Sequence, residues 1–184
     1  MIKSEARKHF LKERRELKIE VRNDYSARIA KHLIQEFSLK DKIVSVFMSI
    51  QSFAEVKTSY YFNAGARSIV LPVVRENGQL EHVIYESEEQ IETTDWGIPE
   101  PTYGEQVDEK EIDLVIVPMV IADKNGYRVG YGKGFYDNFL QKCRPDCQFI
   151  GVCFYDPIEK IEDVHENDIK IHACVTPNGI HYFG

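Results

Sequence analysis

The residues best suited to chemistry form one glycine-rich segment, Arg128-Val-Gly-Tyr-Gly-Lys-Gly-Phe-Tyr-Asp137. Its alternating glycines would let backbone N–H groups approach an anion closely, as in other glycine loops that bind phosphate. Arg128 and Lys133 could neutralise the charge that the amides leave, and Asp137 could hold a metal ion beside the phosphates. The segment therefore predicts a phosphate site.

The glycine spacing matches neither common nucleotide-binding fingerprint. Tyr127 lies where a P-loop requires its first glycine, and Gly134 lies where the P-loop requires Ser or Thr. The strict alternation of Gly130, Gly132 and Gly134 also fails the Rossmann pattern G-x-G-x-x-G. On glycine spacing alone, a tight strand-to-helix turn without any ligand stays an open alternative.

The glycine segment needs elements that position it. The apolar residues 114–121 predict a buried strand before it, and residues 135–143 predict a helix after it. In open α/β sheets, ligands bind at the carboxyl ends of the strands. We therefore expect the segment to lie at such an end.

The rest of the chain alternates between strand and helix patterns. We predict helices over residues 2–37, with a break at Asn23-Asp24, and over 55–64, ending at Gly65. Asn77-Gly78 predicts a hairpin turn, and residues 86–111 predict a surface loop pinned by Trp96 and two prolines. The predicted strands are residues 43–50, 67–74, 80–85, 148–154, 169–175 and 180–183. The fold class predicted for residues 1–184 is α/β: a single domain with a largely parallel sheet, flanking helices and an antiparallel edge hairpin.

Charge and hydropathy exclude some classes of function. The net charge of −7 argues against a general nucleic-acid binder, although residues 1–22 carry eight Lys/Arg. No apolar run approaches the ~20 residues of a membrane span, and the start does not read as a signal peptide. We expect a cytoplasmic monomer that binds neither nucleic acid nor membranes.

Five ordered segments resemble one known family, the 5-formyltetrahydrofolate cyclo-ligases, also called 5,10-methenyltetrahydrofolate synthetases. The longest is similar to the family's D-x-x-G-x-R-L-G-x-G-x-G-[YF]-Y-D, although Phe135 replaces a frequent tyrosine. Just before it, Ala122 stands where the family frequently has an aromatic residue. The five segments are Lys3-Ser-Glu-Ala-Arg7, Phe53-Ala-Glu-Val-Lys-Thr58, Asp95-Trp-Gly-Ile-Pro-Glu-Pro101, Asp123-Lys-Asn-Gly-Tyr-Arg-Val-Gly-Tyr-Gly-Lys-Gly-Phe-Tyr-Asp137 and Glu166-Asn-Asp168.

The resemblance implies an ATP-dependent ring closure of 5-formyltetrahydrofolate to 5,10-methenyltetrahydrofolate, with Mg²⁺ as cofactor and ATP as co-substrate. The formyl oxygen would first be phosphorylated, because phosphorylation turns a poor leaving group into a good one. Phosphoryl transfer asks mainly for positioning and charge stabilisation. The lack of a Ser/His or Cys/His arrangement in the sequence is therefore expected.

The resemblance also implies roles for individual residues. Arg128 and Lys133 would be catalytic, by stabilising charge during the transfer. Asp137 and Asp168 would bind the metal. The implied ATP-binding residues are Lys3, Arg7, Arg128, Gly130, Gly132, Lys133 and Gly134. The implied folate-binding residues are Glu55, Trp96, Tyr131, Phe135 and Tyr136.

Two other functions stay open from the residues alone. A phosphosugar isomerase or acyl-CoA transferase could use a similar scaffold, because a fold does not fix a function. Such an enzyme would need a dedicated base or a glutamate nucleophile, and would not need a metal on Asp137. A folate- or nucleotide-binding module without catalysis is the other alternative, and it could dispense with Arg128 and Lys133.

Overall fold

The computed structural model describes residues 1–76, 78–95 and 97–184. Its α-helices are α1 (Lys3–Glu16), α2 (Ile19–Glu36) and α3 (Phe135–Leu140). Its strands are β1 (Ile43–Ser45), β2 (Ser68–Val74), β3 (Leu80–Ile84), β4 (Ile91–Thr93), β5 (Pro99–Pro101), β6 (Gln106–Val107), β7 (Leu114–Pro118), β8 (Ile121–Ala122), β9 (Arg128–Val129), β10 (Gln148–Val152), β11 (Ala173–Thr176) and β12 (Gly179–Tyr182).

An eight-stranded sheet organises the described part of the chain, in the order β12-β11-β10-β7-β1-β2-β3-β6. Its five central strands, from β11 to β2, run parallel. Antiparallel strands close both edges, β12 at one and β3 with β6 at the other. The predicted α/β class with a largely parallel sheet is confirmed, and antiparallel pairing occurs at two edges instead of one.

The sheet is buried on both faces, as parallel sheets usually are. Alternate residues of β7 point to opposite faces: Val115 and Val117 join one apolar cluster, whereas Leu114 and Ile116 join the other. Helices α1 and α3 cover the first face, and α2 covers the second. Side chains of β7 therefore alternate between two apolar clusters, and the sheet forms the middle layer of a three-layer core.

The break in the N-terminal helical region was predicted at the wrong place. It falls at Leu17 and Lys18, whose backbones are extended, and the predicted break at Asn23-Asp24 lies inside α2. Ala6 of α1 and Leu33 of α2 belong to clusters on opposite faces of the sheet. The chain must turn between these helices to reach the second face, and this tertiary requirement outweighs the local N-cap preference of Asn and Asp.

The predicted helix over residues 55–64 is also wrong. Only a short 3₁₀ turn, Ser59–Tyr61, forms there. The hydroxyl of Ser26 accepts a hydrogen bond from the backbone N of Lys57, and Thr58 donates its hydroxyl to the carbonyl of Phe47. These side-chain bonds give the segment partners outside a helix, so it stays irregular.

Several predicted elements are shorter in the structure. The predicted strand 43–50 leaves the sheet after Ser45, and the predicted helix 135–143 ends at Leu140. Residues 86–111 contain β4, β5 and β6, and Glu100 pins them to the sheet by accepting from the backbone N of Val74. The predicted hairpin is confirmed by the pairing of β2 with β3, while Asn77 lies outside the described residues.

Helix lengths and hydropathies bear on membrane insertion. None of the helices in residues 1–76, 78–95 and 97–184 is both long and apolar enough to span a bilayer.

Candidate active site

The glycine loop, residues 130–134, connects β9 to α3. Gly132 and Gly134 have φ angles of +89° and +72°, in the left-handed region that favours glycine. Gly134 occupies the N-cap position of α3. Because α3 has only six residues, the amides of the loop matter more for an anion than the helix dipole does.

Arg7 lies against this loop. Its Nε donates to the carbonyl oxygen of Gly130 at 2.8 Å. A β-carbon on residue 132 would meet its guanidinium carbon at 3.4 Å. The structure therefore brings a cation from α1, 123 residues away in sequence, directly onto the predicted phosphate loop.

Lys133 is the exposed cation of the loop. Within the described part of the chain it makes no ion pair and no side-chain hydrogen bond. Its ammonium group is therefore available to an anionic ligand without the loss of an existing contact.

Arg128 is buried, with only 4% of its side chain exposed. Its Nη2 donates to Oδ1 of Asp137 at 2.9 Å, and its Nη1 donates to the carbonyl oxygen of Ile169. The backbone N of Ile169 in turn donates to the same Oδ1 of Asp137 at 3.0 Å. Arg128 thus fixes Asp137 and the segment beside Asp168 in one network.

Asp168 is the second carboxylate of this region. Its Oδ2 accepts from Nζ of Lys3 at 2.5 Å and from the backbone N of His165 at 2.7 Å. Burial alone would raise the pKa of Asp168, but the hydrogen bonds from Lys3 and His165 and the charge of Lys3 outweigh burial and lower it. Asp168 is therefore held as a carboxylate.

The two carboxylates fit the donor chemistry of Mg²⁺. Among the described residues, neither Oδ2 of Asp137 nor Oδ1 of Asp168 has a hydrogen-bond or ion-pair partner, and no group of three or more His, Cys, Asp or Glu side chains could hold a metal alone. Mg²⁺ commonly takes one or two carboxylates together with substrate phosphates and waters. The donor set suits a metal that arrives with a nucleotide.

Glu55 faces the glycine loop through Tyr131. One carboxylate oxygen, Oε2, accepts from the backbone N of Ile50 at 2.6 Å. Burial raises the pKa of Glu55, and the Ile50 hydrogen bond, the Tyr131 hydroxyl and the charge of Arg14 offset this only in part. The hydroxyl of Tyr131 accepts from Nη2 of Arg14 at 2.6 Å, so Arg14, Tyr131 and Glu55 form a continuous polar chain.

The predicted aromatic residues are partly brought together. Tyr131 stacks on Phe53 with ring centroids 4.7 Å apart. Phe135 lies against Gly78, where a β-carbon would be 3.4 Å from its ring. Tyr136 contacts Phe139 edge to face, and its buried hydroxyl has no hydrogen-bond partner among the described residues. Trp96 lies outside the described residues.

Arg14 is a site residue that the sequence did not predict. It is 2% exposed, and its Nη1 also donates to the carbonyl oxygen of Met119 at 3.2 Å. Its helical phase is visible in the sequence: Arg14 follows Arg7 by seven residues and Lys3 by eleven, so all three share one face of α1. That face points at the glycine loop and at Asp168.

The fold and these side chains define an α/β protein in which a glycine loop, cations of α1 and two carboxylates meet beside a parallel sheet. The chain belongs to the 5-formyltetrahydrofolate cyclo-ligase family, whose model matches residues 1–177.

Individual relatives agree with this assignment. A protein of Escherichia coli K12 named 5-formyltetrahydrofolate cyclo-ligase is 30% identical over 153 residues, which are 74% of this chain and 79% of that protein. A probable 5-formyltetrahydrofolate cyclo-ligase of Schizosaccharomyces pombe is 32% identical over 112 residues, and the match spans only about half of that protein, 54%.

Solved structures give the same result for the fold. The NMR structure of Aquifex aeolicus 5,10-methenyltetrahydrofolate synthetase superposes with a TM-score of 0.84 at 29% identity, covering 99% of this chain and 93% of that one.

Proposed function

We propose that this protein converts 5-formyltetrahydrofolate and ATP to 5,10-methenyltetrahydrofolate, ADP and phosphate. Family membership supports the reaction. The observation that carries it is the glycine loop, on which Arg7 lies and from which Lys133 projects without a partner among the described residues. Such a loop suits the phosphates of ATP, and the site needs no side-chain nucleophile.

The reaction has two steps. The formyl oxygen of the substrate attacks the γ-phosphorus of ATP, and the bond from that phosphorus to ADP breaks, which leaves an N5-iminium phosphate. N10 then attacks the formyl carbon and loses its proton, and the C–O bond to phosphate breaks. Lys133 and Arg7 stabilise the charge that develops on the transferred group.

The carboxylates and Arg128 act beside the phosphates. Asp137 and Asp168 would hold Mg²⁺, which would neutralise charge on the phosphate oxygens. Arg128 was predicted to contact the transferred phosphoryl group. Its burial and its bonds to Asp137 and Ile169 support instead a positioning role, in which it keeps Asp137 oriented.

The folate would lie on the other side of Tyr131. Glu55 offers a carboxyl group to the amino and ring N–H groups of the pterin. A carboxylate can accept two such hydrogen bonds side by side. Tyr131, Phe135 and Tyr136 offer aromatic surface to its rings. The single network of Arg14, Tyr131 and Glu55 then links the folate to the phosphate loop.

One assay tests the proposal. The protein is mixed with ATP, Mg²⁺ and 5-formyltetrahydrofolate, and methenyl absorbance in the near ultraviolet is followed together with release of ADP. We expect both to rise in equal amounts and only when ATP is present. Folate binding without turnover would instead indicate a binding module, and neither binding nor turnover would refute the proposal.

A further inference from the structure

Asp123 opens the segment that resembles the family's longest motif, and the proposed reaction gives it no role. It lies between β8 and β9 and is fully buried, with 0% of its surface exposed. Within the part of the chain that the structure describes, its carboxyl group makes no ion pair. A buried carboxyl group costs free energy unless hydrogen bonds satisfy it. The partners that satisfy Asp123 therefore indicate its role.

These partners are three backbone N–H groups. Oδ1 of Asp123 accepts from the backbone N of Asn125 at 2.9 Å and from that of Tyr127 at 3.0 Å. Oδ2 accepts from the backbone N of Ile161 at 2.9 Å, 38 residues further along the chain. The two oxygens thus join the turn that precedes β9 to the segment 158–163.

Oδ1 fixes the turn that leads into the glycine loop. A side chain that bonds the backbone two residues on is a common way of fixing a turn, and Asn125 is two residues on. The backbone N of Asp123 also donates to the carbonyl oxygen of Tyr127 at 2.8 Å, which closes the turn. Arg128 follows directly and begins β9, which leads into the glycine loop. The position of the loop therefore depends on Oδ1 of Asp123.

The segment 158–163 holds the start of α1. The backbone N of Lys3, the first residue of α1, donates to Oδ1 of Asp163 at 2.7 Å. One turn further along the helix, Arg7 lies on the glycine loop. Both cations therefore depend for their position on a segment that Asp123 holds through Oδ2.

We propose that Asp123 is a positioning residue of the phosphate site, which sets the cations of α1 at a fixed distance from the glycine loop. The inference rests on the proposed function for the identity of the ligand, ATP. Because Asp123 is fully buried, it contacts no ligand and acts through Lys3 and Arg7. A misplacement of about 1 Å can cost about 10²-fold in rate, so this distance matters for phosphoryl transfer.

The first test is Asp123→Asn, which keeps the size of the side chain but replaces one accepting oxygen with an NH₂ group. One of the three N–H groups then loses its acceptor. We expect KM for ATP to rise about tenfold. KM for 5-formyltetrahydrofolate should change less than about twofold, because Arg14 keeps its own hydrogen bonds to Met119 and Tyr131. Equal changes in both KM values would overturn the inference.

The matched control is Asp113→Asn. Asp113 also accepts from a backbone N–H group, that of Ile43 at 2.7 Å, but it lies before the amino end of β7. This variant should leave KM for ATP unchanged. If it raises KM for ATP as much as Asp123→Asn does, a general loss of stability explains the effect and the inference fails.

A second variant, Asp163→Ala, breaks the same connection at its other end and should also raise KM for ATP selectively. It keeps the inference testable if Asp123→Asn does not fold. An unchanged KM for ATP in Asp163→Ala would show that the start of α1 is not held through this segment.

A double-mutant cycle tests whether Asp123 acts through the cations of α1. In a background that carries Lys3→Met and Arg7→Gln, the groups that Asp123 positions are gone. Asp123→Asn should then change KM for ATP by less than about twofold. A rise as large as in the wild-type background would overturn the inference.

Hydrogen exchange separates this inference from the proposed reaction, because it needs no ligand. In Asp123→Asn the backbone amides of residues 3–7 should exchange faster than in the wild type, whereas Asp113→Asn should leave them unchanged. Faster exchange there would support the positioning role even if no methenyl product forms. Unchanged exchange in residues 3–7 would refute that role even if the reaction is observed.

Discussion

The guanidinium of Arg7 lies 3.4 Å from the point that a β-carbon on Gly132 would occupy. The same guanidinium is held by the carbonyl of Gly130. The left-handed φ of +89° favours glycine at residue 132, and a β-carbon there would stand in van der Waals contact with the Arg7 guanidinium.

Gly132→Ala should weaken ATP binding. The left-handed backbone costs about 1–2 kcal/mol for a residue with a β-carbon, and the new methyl group covers part of the Arg7 guanidinium that faces the loop. We expect KM for ATP to rise about tenfold, measured by steady-state kinetics with saturating folate.

The control for this variant is Gly65→Ala. Gly65 has a similar φ of +85°, but nothing lies within 4 Å of its β-carbon position. Gly65→Ala should lower the free energy of unfolding by a comparable amount and leave KM for ATP unchanged. If both variants change KM equally, backbone strain explains the result and the contact between Arg7 and residue 132 has no role.

Lys133→Ala should lower kcat with little effect on folate affinity. Its ammonium group has no partner among the described residues to lose, and loss of one transition-state donor costs about 10²–10³ in rate. Stopped assays at saturating substrates give kcat, and calorimetry gives the folate Kd. Lys31→Ala is the matched control, and an unchanged kcat in Lys133→Ala would exclude Lys133 from the transfer.

Asp137→Asn should weaken the binding of Mg²⁺ while the hydrogen bonds to residue 137 persist. The amide oxygen can still accept from Arg128 and Ile169, as Oδ1 does now. The charge that would bind the metal is gone, so half-maximal activity should need at least about tenfold more Mg²⁺. Asp146→Asn, at an exposed carboxylate, should leave the Mg²⁺ titration unchanged, and an unaltered titration in Asp137→Asn would refute the metal role.

The parts of the fold that sequence predicted are those with strong local periodicity. Residues 114–118 are continuously apolar because both faces of β7 are buried, and that pattern is visible without the rest of the chain. The segment 55–64 was mispredicted because its hydrogen-bond partners lie outside it. Ser26 is distant in sequence, and the carbonyl of Phe47 belongs to the chain that follows β1. Such contacts have no local signature.

The candidate site likewise has parts that the sequence predicts and parts that it does not. The glycine loop is visible in sequence because left-handed turns select glycine. The ion pair of Arg128 with Asp137 was not predictable from the sequence. Both residues were predicted to contact ligands, and they lie nine residues apart on different elements. Arg14 was missed although its helical phase matches Arg7, because one cation among eight in residues 1–22 carries no mark of burial.

Tyr131→Phe should destabilise the protein. Arg14 would lose its 2.6 Å hydrogen bond while remaining buried, at a cost of about 1–3 kcal/mol, whereas the ring stack on Phe53 would persist. Urea unfolding measures the loss. Tyr136→Phe is the matched control, because the Tyr136 hydroxyl is buried without a partner among the described residues. Equal losses in the two variants would contradict the network of Arg14 and Tyr131.

Because of the ion pair of Lys3 with Asp168, the free energy of unfolding should fall as pH drops into the acid range. Because the folded pKa of Asp168 lies below its unfolded value of 3.8, its contribution is complete above that value and is lost as pH falls through the folded pKa. Both side chains are less than one fifth exposed, 18% and 16%, so salt screens the pair only weakly.

Lys3→Met should therefore lower the free energy of unfolding most near neutral pH. Without Lys3, only His165 opposes the effect of burial, so the folded pKa of Asp168 rises and the gain on ionisation shrinks. Urea unfolding at about pH 7 and about pH 3 should show the wild type and the variant converging at the lower pH. Lys124→Met breaks an exposed pair with Glu159 and should leave the pH dependence parallel to the wild type. A constant difference between Lys3→Met and the wild type across this range would show that Lys3 does not hold Asp168 ionised.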